Sequence, residues 1–315
     1  MITEAAEITT EWLSDVLGEP VAGISAEASD STWAHQIRLK ATLATGEVKA
    51  LRLKVCKGDT FGRSEVDYYI RDYIGMENAP LVRHYDAQFS EGVGYHILLD
   101  DLGDTYHNRF ETPPTLEYGL ALAGALGRLH AFHWESQPVP TEAFWARYFG
   151  HIRPGVSPLE EAVGVPLAER FEALENAIRT RWADPCGMSL LHGDLNPGNI
   201  LTPKEANTPV YFLDRQPFEW SVVYGLAVYD LAYACALWHP YEVFAEHREA
   251  ILQHWHAALE KPDYSLTQAQ EDFALAIEHC LHIPIEWCTN PEDVKNMRWV
   301  WEPQFNRLRH AIRTH

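Results

Sequence analysis

The chain has 315 residues, 46% apolar and 12% aromatic, which excludes a disordered, fibrous or collagenous protein and supplies a large core. Acidic residues outnumber basic ones 45 to 25, for a formal net charge of −20, so no nucleic-acid partner is expected. The acidity is spread along the chain, with 9 basic and 17 acidic residues up to Gly103 and 16 and 28 beyond it, so no charged tail exists. Five scattered cysteines (Cys56, Cys186, Cys235, Cys280, Cys288) without a Cys-x-x-Cys pair read as reduced thiols. The first residues, MITEAAEITTEWL, lack the basic and apolar regions of a signal peptide, and no stretch reaches the roughly 18 apolar residues of a bilayer span. A soluble, cytoplasmic protein without a membrane partner is expected.

In chain order, Ser31–Ala44 alternates loosely and Val48–Val55 (VKALRLKV) alternates more clearly, with Thr45-Gly46-Glu47 between them, so the pair predicts a hairpin. Arg63–Ile74 places Val66, Tyr69, Ile70 and Tyr73 on one helix face. Tyr95–Leu99 is a short apolar strand that ends in Asp100-Asp101-Leu102-Gly103. From Leu116 the apolar spacing turns helical despite three glycines, whereas Ser136–Pro166, with five prolines, reads as an irregular crossing or inserted cap. Helical patterns return over Leu167–Trp182, most of Ala227–Ala258, Gln268–His282 and Glu292–Ile312. The expected organisation is α+β, with a strand-rich lobe over residues 1–103 and a mainly helical lobe over 104–315; ligands favour clefts between such lobes.

The chemistry concentrates in Ser189–Arg215, SLLHGDLNPGNILTPKEANTPVYFLDR. It reads as strand, polar loop, strand, turn and apolar strand, so the hairpin would make Asn199 and Asp214 neighbours with Asp194 on the loop beside them. Three oxygen-bearing side chains suit a hard divalent cation, and a magnesium–nucleotide site is the natural reading. Phosphoryl transfer needs metal on the phosphates, a carboxylate for the hydroxyl proton and a lysine on the phosphate chain, all of which this sequence can supply.

His192-Gly193-Asp194 followed by Asn199, then an apolar strand ending in Asp214, resembles the aminoglycoside phosphotransferase and choline kinase group, with its protein-kinase-like bilobal fold. The likeness extends to Lys54 in LRLKV, Glu65 in SEVDYY and the linker LLDDLG, covering about Leu51 to Tyr233. The resemblance implies an enzyme that moves the γ-phosphate of ATP to a hydroxyl of a small molecule: an antibiotic, an amino alcohol, a sugar or a specialised metabolite. It makes Asp194 the catalytic base and gives Mg2+ to Asn199 and Asp214. Lys54 would meet the α/β-phosphates, held by Glu65, while backbone groups of Asp100 and Leu102 would meet adenine. Asp230 would brace the catalytic loop, and His192 would be structural.

Two departures stand out. Ala28–Trp33 holds no glycine, so amides near Ser31 and Thr32 are the only candidates for a phosphate-covering loop. Arg215 follows Asp214 where relatives carry an aromatic or small residue; it would clamp a phosphate or, as the preferred reading, pair with an acidic neighbour such as Glu219. Taken singly, Lys54 is an ordinary strand lysine, Glu65 a helix carboxylate able to pair with Arg63 or Arg71, and His-Gly-Asp a common turn. The order of the whole set favours the kinase-like site. His254, His256, His279 and His282 suggest zinc, but without a complete ligand set they read as packed or polar-face residues. The tryptophans read mostly as core, with some available to line an acceptor pocket. The rival from another class is a catalytically silent nucleotide-binding module acting as sensor or partner.

Overall fold

The computed structural model describes the chain except residues 31–33, 59–60, 111–113, 138, 206–207, 216–222 and 314–315. The chain forms two compact units, Met1–Asn108 with Leu201–Phe218, and Arg109–Ile200 with Glu219–His315.

The first unit is built on an antiparallel sheet of five strands, β1 (Val21–Asp30), β2 (His35–Leu43), β3 (Val48–Lys57), β4 (His84–Ser90) and β5 (Gly94–Asp100), in the order β1-β2-β3-β5-β4. The expected hairpin is β2–β3, with Thr42 opposite Val48 and Lys54 opposite Gln36. Strand alternation sends Ile37, Leu39, Ala41, Leu43, Leu51, Leu53 and Val55 into one apolar cluster with Ile2, Leu13 and Val21. Leu13 comes from α1 (Thr10–Leu17), a helix the sequence pattern did not reveal, as it did not reveal β1. Because successive side chains alternate, Lys54 leaves this core and projects from the opposite face of the sheet.

The helix expected over Arg63–Ile74 is shorter and changes pitch. α2 (Ser64–Asp67) runs into a π turn, Tyr68–Asp72, where Tyr68, Tyr69 and Tyr73 bury their rings edge to face. A later stretch of the chain also joins the first unit. Thr202 and Pro203 pair with His107 and Tyr106, and Phe212 N–H donates to the Pro80 carbonyl at 2.8 Å, so the Leu201–Phe218 segment returns to the first unit.

The second unit is mainly helical: α3 (Leu116–Phe132), α4 (Glu142–Ile152), α5 (Val156–Val163), α6 (Ala168–Arg181), α7 (Val228–Ala236), α8 (Tyr241–Leu259), α9 (Leu266–His279), α10 (His282–Glu286), α11 (Pro291–Asn296) and α12 (Arg298–Arg313). The glycines of α3 mark its crossing with α8, where a Cβ on Gly127 would lie 2.6 Å from the Trp255 carbonyl oxygen. α4 and α5 occupy the proline-rich stretch expected to be irregular. Pro140 precedes the Thr141 cap, Pro154 lies in a 3-10 turn and Pro158 in the first turn of α5, positions whose N–H would have no helical partner. Among the described residues no helix is long and apolar enough to cross a membrane.

Candidate active site

In the first unit, the Lys54 ammonium donates to Glu65 Oε2 at 2.7 Å and to Asp214 Oδ1 at 2.9 Å. Tyr95 O–H donates to the same Glu65 oxygen at 2.5 Å, so a buried carboxylate is held by two donors. Burial opposes the charge on Lys54, but the carboxylates of Asp214 and Glu65 outweigh it and raise its pKa, so the ammonium persists at any physiological pH. Asp214 is about half exposed and takes the left-handed conformation, φ 54°, two residues after the short strand Tyr211–Phe212. Three residues singled out from three separate stretches of sequence thus form one hydrogen-bonded cluster.

The expected adenine contacts lie at the end of β5. Asp100 N–H donates to the Arg83 carbonyl at 3.0 Å, and the Leu102 carbonyl accepts from Thr105 and Tyr106 N–H at 3.0 and 2.9 Å. Asp101 pins this turn by accepting from Arg38 at 2.7 Å and from Gly103 N–H at 3.0 Å. Ser31 and Thr32 lie outside the described residues.

In the second unit, Asp230 on α7 is fully buried and accepts from His192 N–H at 2.7 Å, Gly193 N–H at 2.9 Å and His130 Nε2 at 3.1 Å. An indole N–H only donates, so the 3.1 Å bond from Trp255 Nε1 to His130 Nδ1 places the imidazole proton on Nε2, facing Asp230. Burial pushes the Asp230 pKa up, but the His130 hydrogen bond and the neighbouring donors outweigh it, and the group stays ionised.

The loop held in this way presents Asp194 with its carboxylate in fixed orientation. Oδ1 accepts from Tyr233 O–H at 2.7 Å and from Asn196 Nδ2 at 3.1 Å; Oδ2 accepts from Asn199 Nδ2 at 3.1 Å. Asn199 Nδ2 also donates to the Asp194 carbonyl at 2.8 Å, at the end of the 3-10 turn Pro197–Asn199. Burial and the Asp194 charge raise the Tyr233 pKa well above its ordinary value, so the phenol remains a donor. The sequence reading gave Tyr233 no role, although its position one turn after Asp230 on α7 was a signal.

Arg215 pairs with an acidic residue, as the preferred reading expects; Glu219 itself lies outside the described residues. Its guanidinium is buried in an ion pair with Asp72. His279 and His282 both bond to the Tyr148 hydroxyl, at 2.6 and 3.0 Å, inside the helical core. Among the described residues no group of three His, Cys, Asp or Glu side chains is placed to hold a metal. Trp182, Trp255 and Trp301 are core residues, whereas Trp238 packs on the exposed Phe110, which also borders Gly198 of the loop that carries Asp194.

A family model described as the phosphotransferase enzyme family matches residues 79–266. No curated protein sequence matches. Similar solved structures include a microcompartment-associated aminopropanol kinase, at 13% identity over 95% of each chain with a TM-score of 0.56. An aminoglycoside phosphotransferase from Streptomyces rimosus is 20% identical over 91% of this chain and 99% of its own, TM-score 0.52. A GDP complex of a variant aminoglycoside 2′-phosphotransferase is 13% identical over 96% and 97%, TM-score 0.50. At these identities the likeness shows the fold, α+β and protein-kinase-like with a mostly helical C-terminal part.

Proposed function

The chain belongs to the phosphotransferase enzyme family and is a small-molecule phosphotransferase, and on that premise we propose that it transfers the γ-phosphate of ATP to a hydroxyl of a small molecule. The observation that carries the reading is the Lys54 ammonium bound at once by Glu65 and Asp214. A lysine kept charged and oriented in this way suits the phosphate chain of a nucleotide, and a neighbour crystallised with GDP is consistent with nucleotide use.

Lys54 would bind the α/β-phosphates and Glu65 would orient it. The Asp100 carbonyl and the Leu102 N–H would meet adenine, since the Asp100 N–H and the Leu102 carbonyl are already engaged within the fold. Asn199 and Asp214 would hold Mg2+: Asp214 offers a half-exposed carboxylate, and Asn199 is oriented by its Nδ2 bonds to Asp194. When bound, Mg2+ neutralises phosphate oxygens. Asp194 would orient the acceptor hydroxyl and take its proton as the new O–P bond forms and the bond to the ADP leaving group breaks. Tyr233 and Asn196 hold Oδ1, which fixes the carboxylate for that task.

The set Lys54, Glu65, Asp194, Asn199 and Asp214 argues against the catalytically silent module, whereas the absence of glycine from Ala28–Trp33 argues weakly for it. ADP formation from Mg·ATP across a panel of aminopropanol, choline, an aminoglycoside and a sugar separates the two readings and sorts the acceptor class. Asp194→Ala should abolish transfer to the preferred alcohol while ATP still binds in a calorimetric titration; undiminished turnover would remove Asp194 from its role.

A further inference from the structure

We propose that the buried Arg215–Asp72 ion pair is a latch that holds Asp214 beside Lys54, which makes Arg215 a positioning residue of the metal–nucleotide site. This rests on the reading of Asp214 as a metal ligand. Asp214 needs such a device. It follows a strand of only two residues and sits in the left-handed region, which aspartate tolerates better than most non-glycine residues but which its surroundings must still hold against the extended alternative. Its side chain is tied by Lys54 at 2.9 Å, and the very next residue ties its backbone.

Arg215 is only 5% exposed, lies 5.8 Å from the Tyr68 ring centroid and bonds through Nη1 to Asp72 Oδ2. Burying a guanidinium and a carboxylate adds little net stability, so such a pair is better explained by the geometry it enforces. That geometry is shared. Glu65 and Asp72 lie on one continuous stretch, α2 and its π turn, and one carboxylate holds Lys54 while the other holds Arg215. A single helical segment therefore fixes both the ammonium and the residue adjoining the carboxylate that the ammonium meets. Asp72 Oδ1 also accepts from Arg71 Nε at 2.7 Å, so removing Arg215 does not leave Asp72 without a cation. The other reading of Arg215, a clamp on a phosphate oxygen, requires the guanidinium to abandon Asp72.

The test measures ATP affinity of the full chain by calorimetric titration, with excess Mg2+ and with EDTA, for wild type, Arg215→Met, Asp72→Asn and the swapped pair Arg215→Asp/Asp72→Arg. Thermal melting checks that each variant is folded. The latch predicts that both single variants lose about tenfold of the Mg2+-dependent gain in affinity, as the competent Asp214 conformer becomes a minor population, while affinity in EDTA stays within about twofold. The swapped pair should recover part of the gain. Unchanged Mg2+ dependence in folded Arg215→Met or Asp72→Asn overturns the latch. An equal loss with and without Mg2+ in Arg215→Met alone overturns it in favour of the phosphate clamp. Failure of the wild type to bind Mg·ATP refutes the underlying function instead.

Discussion

Asp230→Asn is an isosteric change that tests how the loop carrying Asp194 is held. The carboxylate accepts three hydrogen bonds in a fully buried site: His192 N–H and His130 Nε2–H on Oδ2, and Gly193 N–H on Oδ1. An asparagine has one acceptor oxygen. Placed at Oδ2 it keeps two of these donors but turns an NH2 group against Gly193 N–H; placed at Oδ1 it leaves two donors opposed. The better orientation orphans one buried donor, at about 1–3 kcal/mol, and reduces two charge-assisted bonds to neutral ones, at about 1 kcal/mol each. The variant should therefore lose about 3–5 kcal/mol locally. Hydrogen exchange reads the effect where it arises: the amides of His192 and Gly193 should exchange at least about a hundredfold faster, since each 1.4 kcal/mol is a factor of ten. Turnover should fall along with this protection, because Asp194 is the next residue. Wild-type protection of both amides in the variant would refute the view that this carboxylate organises the loop.

Three further outcomes follow from the structure. Tyr233→Phe removes the 2.7 Å donor to Asp194 Oδ1, and a hydrogen bond to a charged group is worth about 1.5–3 kcal/mol, so turnover should drop about tenfold or more with ATP affinity unchanged; equal turnover would discount the phenol. Gly127→Ala puts a methyl group 2.6 Å from the Trp255 carbonyl and should destabilise by about 1–3 kcal/mol despite alanine's better helix propensity, and a denaturation midpoint at or above wild type would contradict the α3–α8 packing. Burial lowers the His279 pKa from 6.5 to about 3, so below pH 6.5 the unfolded chain takes up a proton that the native core refuses. His279 therefore contributes a loss of about 2 kcal/mol between pH 7 and pH 5, which should disappear from the pH dependence of His279→Gln in urea titrations, and identical pH slopes for the two proteins would contradict it.

The parts of the fold that were legible in the sequence rest on local periodicity. The β2–β3 hairpin announced itself through alternation on either side of Thr45-Gly46-Glu47, and α3 through its apolar spacing. Ser136–Pro166 misled because proline is a breaker only inside a helix; at caps and first turns it is compatible with α4 and α5. β1 was hidden because VAGISAEASD carries small residues, whose alternation has little amplitude. α2 was recognised but not the π turn after it, along which Tyr68, Tyr69 and Tyr73 pack their rings.

The site divides along the same line. Lys54, Glu65 and Asp214 could be singled out from order and motif, and Asp194 and Asn199 from a spacing of five residues, because those features lie in the sequence itself. Tyr233 reaches Asp194 across 39 residues and Arg215 reaches Asp72 across 143, and nothing local to either member of these pairs names the other. Arg215 shows the difference most clearly. Sequence reasoning favoured an ion pair over a phosphate contact, and the chain does form an ion pair, with a carboxylate, Asp72, brought in by tertiary folding, while Glu219 lies outside the described residues. The choice of partner changes the consequence: a pair with a loop neighbour would only decorate the turn after Asp214, whereas a pair with Asp72 ties that turn to the helical segment that carries Glu65. On the latch proposal, the placing of Lys54 and Asp214 therefore depends on one helical segment, in which Glu65 meets Lys54 and Asp72 meets Arg215.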